Sequence, residues 1–164
     1  MTGKRLRAEA TRVLELSRAH GLKIATAESC TGGLVAATLT DIAGSSDVVD
    51  RGFVTYSNEA KQQMLGVPAA TLKRHGAVSA ETAAAMATGA LRHSDADLAV
   101  AITGIAGPGG GSKEKPVGLV HFAAARRGGG HLARVRRYGN IGRDHVRARS
   151  VAEALTLLEL LAKS

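Results

Sequence analysis

The sequence has little cysteine, few aromatic residues and no long apolar run. Its 164 residues include one Cys, no Trp, two Tyr and two Phe. A single Cys cannot form an internal disulfide, and without a Cys pair there is no zinc-type spacing. The scarcity of aromatic rings argues against a binder of RNA or single-stranded DNA, since such proteins stack bases on aromatic side chains. The most apolar run, residues 96–105, is too short to span a membrane and contains Asp97.

The N-terminal residues carry no targeting pattern. The segment MTGKRLRAE is charged and has no apolar core, so we expect no signal peptide and a cytoplasmic protein. The length predicts a single domain over residues 1–164, large enough to bury about 70% of the surface that the unfolded chain exposes.

Positive charge is concentrated in one part of the chain. The net charge is +8, and residues 126–149 hold eight Arg and one acid, Asp144. Local basicity of this kind suits nucleic acid, an anionic small molecule or another subunit, and it also suits a solvated face. The charge pattern alone leaves these readings open.

Strand-like and helix-like segments alternate along the chain. The predicted helices cover residues 5–20, 34–39, about 57–66, 79–91 and 143–162, and the predicted strands cover 22–27, 51–56, 97–103, 117–125 and 132–138. The last strand is expected at an edge, after a hairpin. The alternation predicts an α/β fold, a single layered domain with a mixed sheet flanked by helices. Ligands of such folds bind at the carboxyl ends of strands.

The first strand leads into a turn that contains a serine, ESCTGG at residues 28–33. Backbone N–H groups after Ser29, with a helix dipole behind them, could hold an oxyanion or a phosphate. Paired glycines in a helix's first turn cost stability unless something approaches the backbone closely. Ser29 is therefore a candidate nucleophile and Cys30 a rival. The ordinary alternatives are that Ser29 or Thr31 only caps the helix and that Cys30 is a small buried hydrophobe.

Tyr56 and Lys61 form a second candidate group, at the end of a strand and one turn into the next helix. A lysine can serve as base to a serine if burial or nearby cations lower its pKa from about 10.4 toward 7 or 8. The ordinary alternative is a solvated lysine on a helix face. None of the six His lies in a nucleophile or metal motif, so the spacing does not favour a Ser-His-Asp triad.

A glycine-rich segment, residues 103–118, follows the predicted third strand. It has neither the P-loop spacing nor the dinucleotide-binding spacing. Gly104 and Gly107 lie just behind a buried-type strand, where glycine permits close approach of a ligand to the backbone. The alternative is a flexible loop, with Lys113 and Lys115 as solvated tips.

Taken together, these segments resemble one protein family. The shared motifs are TAESCTGG (residues 26–33), GFVTYSNEAK (52–61) with LGV (65–67), HGAVS (75–79) and GIAGPGGGSKEKPVG (104–118). In this order, over about residues 5–160, they look like the C-terminal domain of the competence/damage-inducible protein CinA, whose stand-alone members are nicotinamide-nucleotide amidases.

The resemblance implies hydrolysis of the carboxamide of nicotinamide mononucleotide to nicotinate mononucleotide and ammonia, with no metal or organic cofactor. It implies Ser29 as nucleophile, Lys61 as general base and Tyr56 as a hydroxyl that assists proton transfer or orientation. The substrate-binding residues that it implies are Cys30, Thr31, Gly32, Gly33, Thr103, Gly104, Ile105, Ala106, Gly107 and, for the phosphate, Arg143. The implied partners are this small molecule and a second copy in a homodimer, with no membrane and no nucleic acid.

The sequence leaves two other functions open. One is a non-catalytic module that binds DNA or a protein partner through the basic residues 126–149, as the family's name suggests. The other is an amidase for a different pyridine, or for an amide without a phosphate, whose activity would not depend on the arginines.

Overall fold

The computed structural model describes residues 3–164. The helices are α1 (Gly3–Ala19), α2 (Leu34–Thr40), α3 (Asn58–Leu65), α4 (Ala69–His75), α5 (Ala80–Arg92) and α6 (Arg143–Lys163). The strands are β1 (Ile24–Glu28), β2 (Val49–Val54), β3 (Leu98–Gly104), β4 (Leu119–Arg126) and β5 (His131–Arg137). A single 3₁₀ turn, Ser45–Asp47, precedes β2.

The strands form one mixed sheet in the order β2-β1-β3-β4-β5. β1 pairs in parallel with both β2 and β3, whereas β4 runs antiparallel to its neighbours β3 and β5. Glu28 at the end of β1 lies opposite Val54 of β2 and Ile102 of β3. Because the three parallel strands end at the same edge, the segments that follow them meet there.

Helices cover both faces of the sheet. On one face α1, α2 and α6 bury a core of branched side chains with Ile24, Val100, Ile102 and Phe122. On the other face α3, α4 and α5 pack over a core built largely of alanine, which brings α5 close to the strands. All five residues of β1 are buried, as expected for a parallel strand covered on both faces.

The predicted fold class, a layered α/β arrangement with a mixed sheet flanked by helices, is confirmed. The prediction missed α4 and placed the end of the second strand at Tyr56, two residues beyond its observed end at Val54. The predicted edge strand is β5. Within residues 3–164, no helix has both the length and the apolar character that crossing a membrane requires.

Candidate active site

Ser29 lies directly after β1, at the edge where the parallel strands end. Its backbone N–H donates to the carbonyl of Ile102, 2.9 Å away, so the ladder to β3 continues through this residue. The turn that follows needs glycine, because Gly32 and Gly33 have φ values of +58° and +103°. Ser29 is 8% exposed, so its hydroxyl lies just below the protein surface.

The buried side chain of Lys61 reaches Ser29. Lys61 is 1% exposed, and its Nζ lies 3.1 Å from Ser29 Oγ. The same nitrogen donates to the carbonyl oxygens of Thr55 at 2.9 Å and Tyr56 at 3.4 Å. The expected alternative of a solvated lysine on a helix face is therefore wrong.

Local packing explains how Lys61 comes to point inward. Ser57 begins α3 by accepting a hydrogen bond from the N–H of Ala60, which fixes the first turn just after β2. At the other end of α3, Leu65 lies so close to α5 that a Cβ on Gly89 would come within 2.0 Å of the Leu65 carbonyl oxygen. This close approach holds α3 against the sheet edge, with Lys61 on its buried side.

The surroundings of Lys61 make its ammonium form less favourable than it is in water. Burial lowers the pKa of Lys61 below its ordinary value. Within residues 3–164, no carboxylate lies within ion-pair distance of its Nζ. When Lys61 is neutral, its two remaining N–H bonds can stay on the carbonyls of Thr55 and Tyr56, and its lone pair then faces Ser29 Oγ.

Cys30, the rival nucleophile, has the opposite character. It is 6% exposed and belongs to the core on the α6 face of the sheet. Burial raises the pKa of its thiol to about 12, so the thiol stays protonated at neutral pH. The reading of Cys30 as a small buried hydrophobe fits this environment.

Tyr56 and Arg143 contact each other at the entrance to the site. Arg143 Nη2 donates to Tyr56 Oη at 3.2 Å, and Nη1 donates to the carbonyl of Gly107 at 2.9 Å. Tyr56 is 62% exposed. Its phenol contacts Arg143, whereas Lys61 donates a hydrogen bond to the backbone carbonyl of Tyr56. Of the two candidate proton acceptors, only Lys61 is hydrogen-bonded to Ser29 Oγ.

The segment from Thr103 to Gly107 lines the neighbouring part of the edge, with its polar groups largely engaged. Thr103 Oγ1 donates to the carbonyl of Ala77 at 2.7 Å. The backbone of Ile105 pairs with Leu119 and Gly118. Ala106 is buried, and the carbonyl of Gly107 is held by Arg143.

Two residues outside the predicted set help to build the turn. The buried carboxylate of Glu28 accepts from the N–H groups of Val35 at 2.9 Å and Ala36 at 3.0 Å, and so caps the start of α2. Arg147 donates to the backbone carbonyls of Cys30 and Thr31 in the turn. Two features of the sequence could have pointed to these residues. Glu28 is an acid directly before Ser29, and Arg147 follows Arg143 by four residues, which places both arginines on the same face of a helix.

The basic segment is not one surface. Arg126 donates to the carbonyls of Leu161 and Ser164, at the end of α6. Arg127 donates to the carbonyls of Leu91, in the last turn of α5, and of Ser94 and Ala96 just beyond it. The other arginines with bonds to the chain are Arg134 and Arg136, which both pair with Glu153, and Arg143 and Arg147 at the site. These separate roles disfavour the reading as a continuous face for DNA.

The glycine-rich loop is anchored through Lys115. Its Nζ donates to the carbonyl of His75 at 2.6 Å, so the expectation of a solvated loop tip is wrong for this residue. A Cβ on Gly76 would lie 2.9 Å from that nitrogen.

Across residues 3–164 no three His, Cys, Asp or Glu side chains are grouped so as to hold a metal ion.

Comparison with known proteins places this geometry in context. The family model described as "CinA C-terminal domain" matches residues 6–162. The chain is 52% identical over 158 residues to "Nicotinamide-nucleotide amidohydrolase PncC" of Escherichia coli (strain K12), covering 96% of this chain and 95% of that protein. It is 55% identical over 150 residues to a "CinA-like protein" of Synechococcus sp. (strain RCC307), of which it spans only 36%.

Solved structures share the fold closely. The structure titled competence/damage inducible protein CihA from Agrobacterium tumefaciens aligns with a TM-score of 0.94 at 55% identity, over 97% of this chain and 96% of that one. A CinA superfamily protein from Klebsiella pneumoniae aligns with a TM-score of 0.91 at 39% identity, over 96% of this chain and 98% of that one.

Proposed function

The chain belongs to the CinA C-terminal domain family, and we propose that it hydrolyses the carboxamide of nicotinamide mononucleotide to nicotinate mononucleotide and ammonia. The observation that carries the proposal is the buried amine of Lys61, 3.1 Å from Ser29 Oγ and without a carboxylate partner in the described chain. An E. coli relative with the amidohydrolase name matches over nearly its full length.

In the first half-reaction, Ser29 Oγ attacks the amide carbon while its proton passes to Lys61 Nζ. The N–H groups of Cys30, Thr31 and Gly33, which have no oxygen acceptor within residues 3–164, are the candidates to hold the oxyanion. The carbon–nitrogen bond then breaks, and Lys61 returns the proton to the leaving nitrogen. Ammonia departs, and a nicotinoyl ester remains on Ser29.

In the second half-reaction, water attacks the ester. Lys61 takes a proton from the water, and the ester bond to Ser29 breaks. The proton returns to Ser29 Oγ, so nicotinate mononucleotide leaves and the enzyme is restored. Lys61 performs the proton transfers of both half-reactions with the same lone pair, oriented by its bonds to the carbonyls of Thr55 and Tyr56.

Arg143 is the proposed anchor for the 5′-phosphate, beside the backbone of residues 104–107. Its two bonds, to Gly107 and Tyr56, use two of the five N–H groups of the guanidinium. The remaining three can face an anion. The Tyr56 hydroxyl, held by Arg143, orients the bound nucleotide in this scheme.

A cytoplasmic location and a homodimer complete the proposal. The support for a dimer is that several large apolar side chains are exposed, among them Leu34 at the start of α2, Val54 at the end of β2, and Met64 and Ile141. Light scattering on the purified protein tests it: a mass of two chains is expected, and a single-chain mass at micromolar concentration would refute it.

The substrate is tested by comparing nicotinamide mononucleotide with nicotinamide riboside, which lacks only the phosphate. The wild-type protein should prefer the nucleotide, and Arg143→Met should raise KM for the nucleotide while leaving KM for the riboside unchanged. Equal use of the two compounds by the wild type, or an unchanged KM in the variant, would contradict the phosphate assignment.

A further inference from the structure

Arg147 of α6 contacts the turn that carries Ser29, although it lies 118 residues away along the chain. Its Nε donates to the carbonyl of Cys30 at 3.1 Å, and its Nη2 donates to the carbonyl of Thr31 at 3.3 Å. The side chain is partly buried against the turn. Gly32 leaves room for the guanidinium, since a Cβ there would lie 3.3 Å from Nη2.

The two carbonyls depend on Arg147 to different degrees. The Thr31 carbonyl also accepts from the N–H of Leu34 at 3.0 Å. In the described part of the chain, the Cys30 carbonyl has no donor other than Arg147. Arg147 is therefore the contact that fixes the orientation of the peptide group between Cys30 and Thr31.

That peptide group carries the N–H of Thr31. In a trans peptide the C=O and the N–H point in opposite directions, so a carbonyl held toward Arg147 turns the N–H of Thr31 away from it. A charged donor on the carbonyl also polarises the peptide and strengthens its N–H as a donor. We propose that Arg147 is a positioning residue that orients the Thr31 N–H to stabilise the oxyanion formed by attack of Ser29.

This inference rests on the proposed function, because it assigns a part of the same reaction. Arg147 itself touches no reacting atom in this account. The competing explanation is that Arg147 only ties α6 to the turn. A simple tie would affect stability, whereas a positioning role affects the transition state with little effect on substrate affinity.

The test uses three variants in the full chain. Arg147→Met keeps an unbranched apolar stem and removes the guanidinium donors, and Arg147→Lys restores a single charged donor. Arg149→Met is the matched control, an exposed Arg on the same helix whose side chain makes no hydrogen bond to residues 3–164. Urea unfolding of each variant gives its stability.

Two readouts are needed, one with the nucleotide and one without it. The first is kcat and KM for nicotinamide mononucleotide. The second is the rate at which a fluorophosphonate labels Ser29, followed by mass spectrometry. In that reaction Ser29 Oγ bonds to phosphorus, the proton passes to Lys61 and fluoride leaves, so the label needs the oxyanion donors but no nucleotide.

Arg147→Met should lower kcat about 10- to 100-fold, a part of the effect of removing a whole oxyanion donor, with KM within about threefold of wild type. Labelling should slow by a similar factor, Arg147→Lys should lie between, and Arg149→Met should match wild type. Labelling of Arg147→Met at the wild-type rate would overturn the proposal. If Arg147→Met does not fold, Arg147→Lys decides: slower labelling supports the proposal, and the wild-type rate overturns it.

The two proposals can fail separately. If the wild type releases no ammonia from nicotinamide mononucleotide, but Arg147→Met still slows labelling, the proposed substrate is wrong and the positioning role stands. If the wild type releases ammonia and Arg147→Met retains the wild-type kcat, the positioning role is wrong and the amidase stands.

Discussion

Replacing Lys61 by methionine tests whether its amine is neutral enough to act as a base. Methionine keeps most of the buried stem and removes only the nitrogen. In the wild type Lys61 is 1% exposed, and its nitrogen is hydrogen-bonded to one hydroxyl and two carbonyls. Such an environment solvates an ammonium poorly, so its proton should be held more weakly than in the unfolded chain.

The effect on stability has a definite sign. Burial lowers the pKa of folded Lys61, whereas in the unfolded chain it stays near 10.4. Between these two values the unfolded state binds more protons, so the free energy of unfolding of the wild type rises with pH by up to about 1.4 kcal/mol per unit. Below the folded pKa and above about 10.4 this contribution is constant. Lys61→Met lacks the contribution altogether.

Urea unfolding of both proteins from pH 6 to pH 10, followed by circular dichroism, measures the difference. Groups other than Lys61 contribute about equally to both curves, so the gap between them isolates this lysine. The wild type should gain stability relative to the variant as pH rises. A constant gap across the range would mean an ordinary pKa and would refute Lys61 as the base.

Activity gives a second reading of the same change. Loss of a general base costs about 100- to 10,000-fold in rate, so kcat of Lys61→Met should fall by at least about 100-fold. Wild-type kcat/KM should rise with pH and level off with a midpoint below 10.4. Lys113→Met, at an exposed lysine of the loop, is the control and should keep full activity.

Three further outcomes follow from the packing. Cys30→Ala should keep kcat within about threefold of the wild type. A disulfide reagent at pH 8 should modify Cys30 only after unfolding, since burial raises the pKa of its thiol to about 12. Fast labelling of the thiol in the native protein would contradict this. Gly104→Ala should lower the free energy of unfolding, measured in urea, by about 1–3 kcal/mol, because the new Cβ would lie 2.7 Å from Val120 Cγ2. Gly109→Ala is the control and should not destabilise the protein, since a Cβ on Gly109 meets open space. Arg127→Met should lower the free energy of unfolding by about 1–3 kcal/mol, because the carbonyls of Leu91 and Ala96 lose their charged donor, and should leave kcat unchanged. A large loss of kcat would show that Arg127 has a role beyond structure.

Most of the fold could be predicted from local patterns. Apolar spacing and caps identified five of the six helices, and the alternation with strands gave the layered α/β class. The missed helix, α4, has seven residues and begins at Ala69; the residue before it, Pro68, cannot cap it with a side-chain hydrogen bond, so the helix lacks the usual start signal.

The proximity of the candidate site residues was predictable in outline, because parallel strands end at one edge. The sequence placed Ser29 and Lys61 after neighbouring strands, but it could not reveal that Lys61 is buried. That burial comes from the packing of α3 against α5 at Gly89, which is a tertiary contact. Similarly, the eight arginines of residues 126–149 look like one patch in the sequence, whereas the fold places six of them separately, at helix ends, at Glu153 and at the candidate site.

Ammonia release from nicotinamide mononucleotide, measured with the purified protein and no added metal, beside Ser29→Ala, decides whether the chain is an amidase that uses Ser29. The wild type should release ammonia and form nicotinate mononucleotide in equal amounts, and the variant should release none while unfolding at a similar urea concentration. A folded wild type that releases no ammonia, or a Ser29→Ala protein as active as the wild type, would contradict the account.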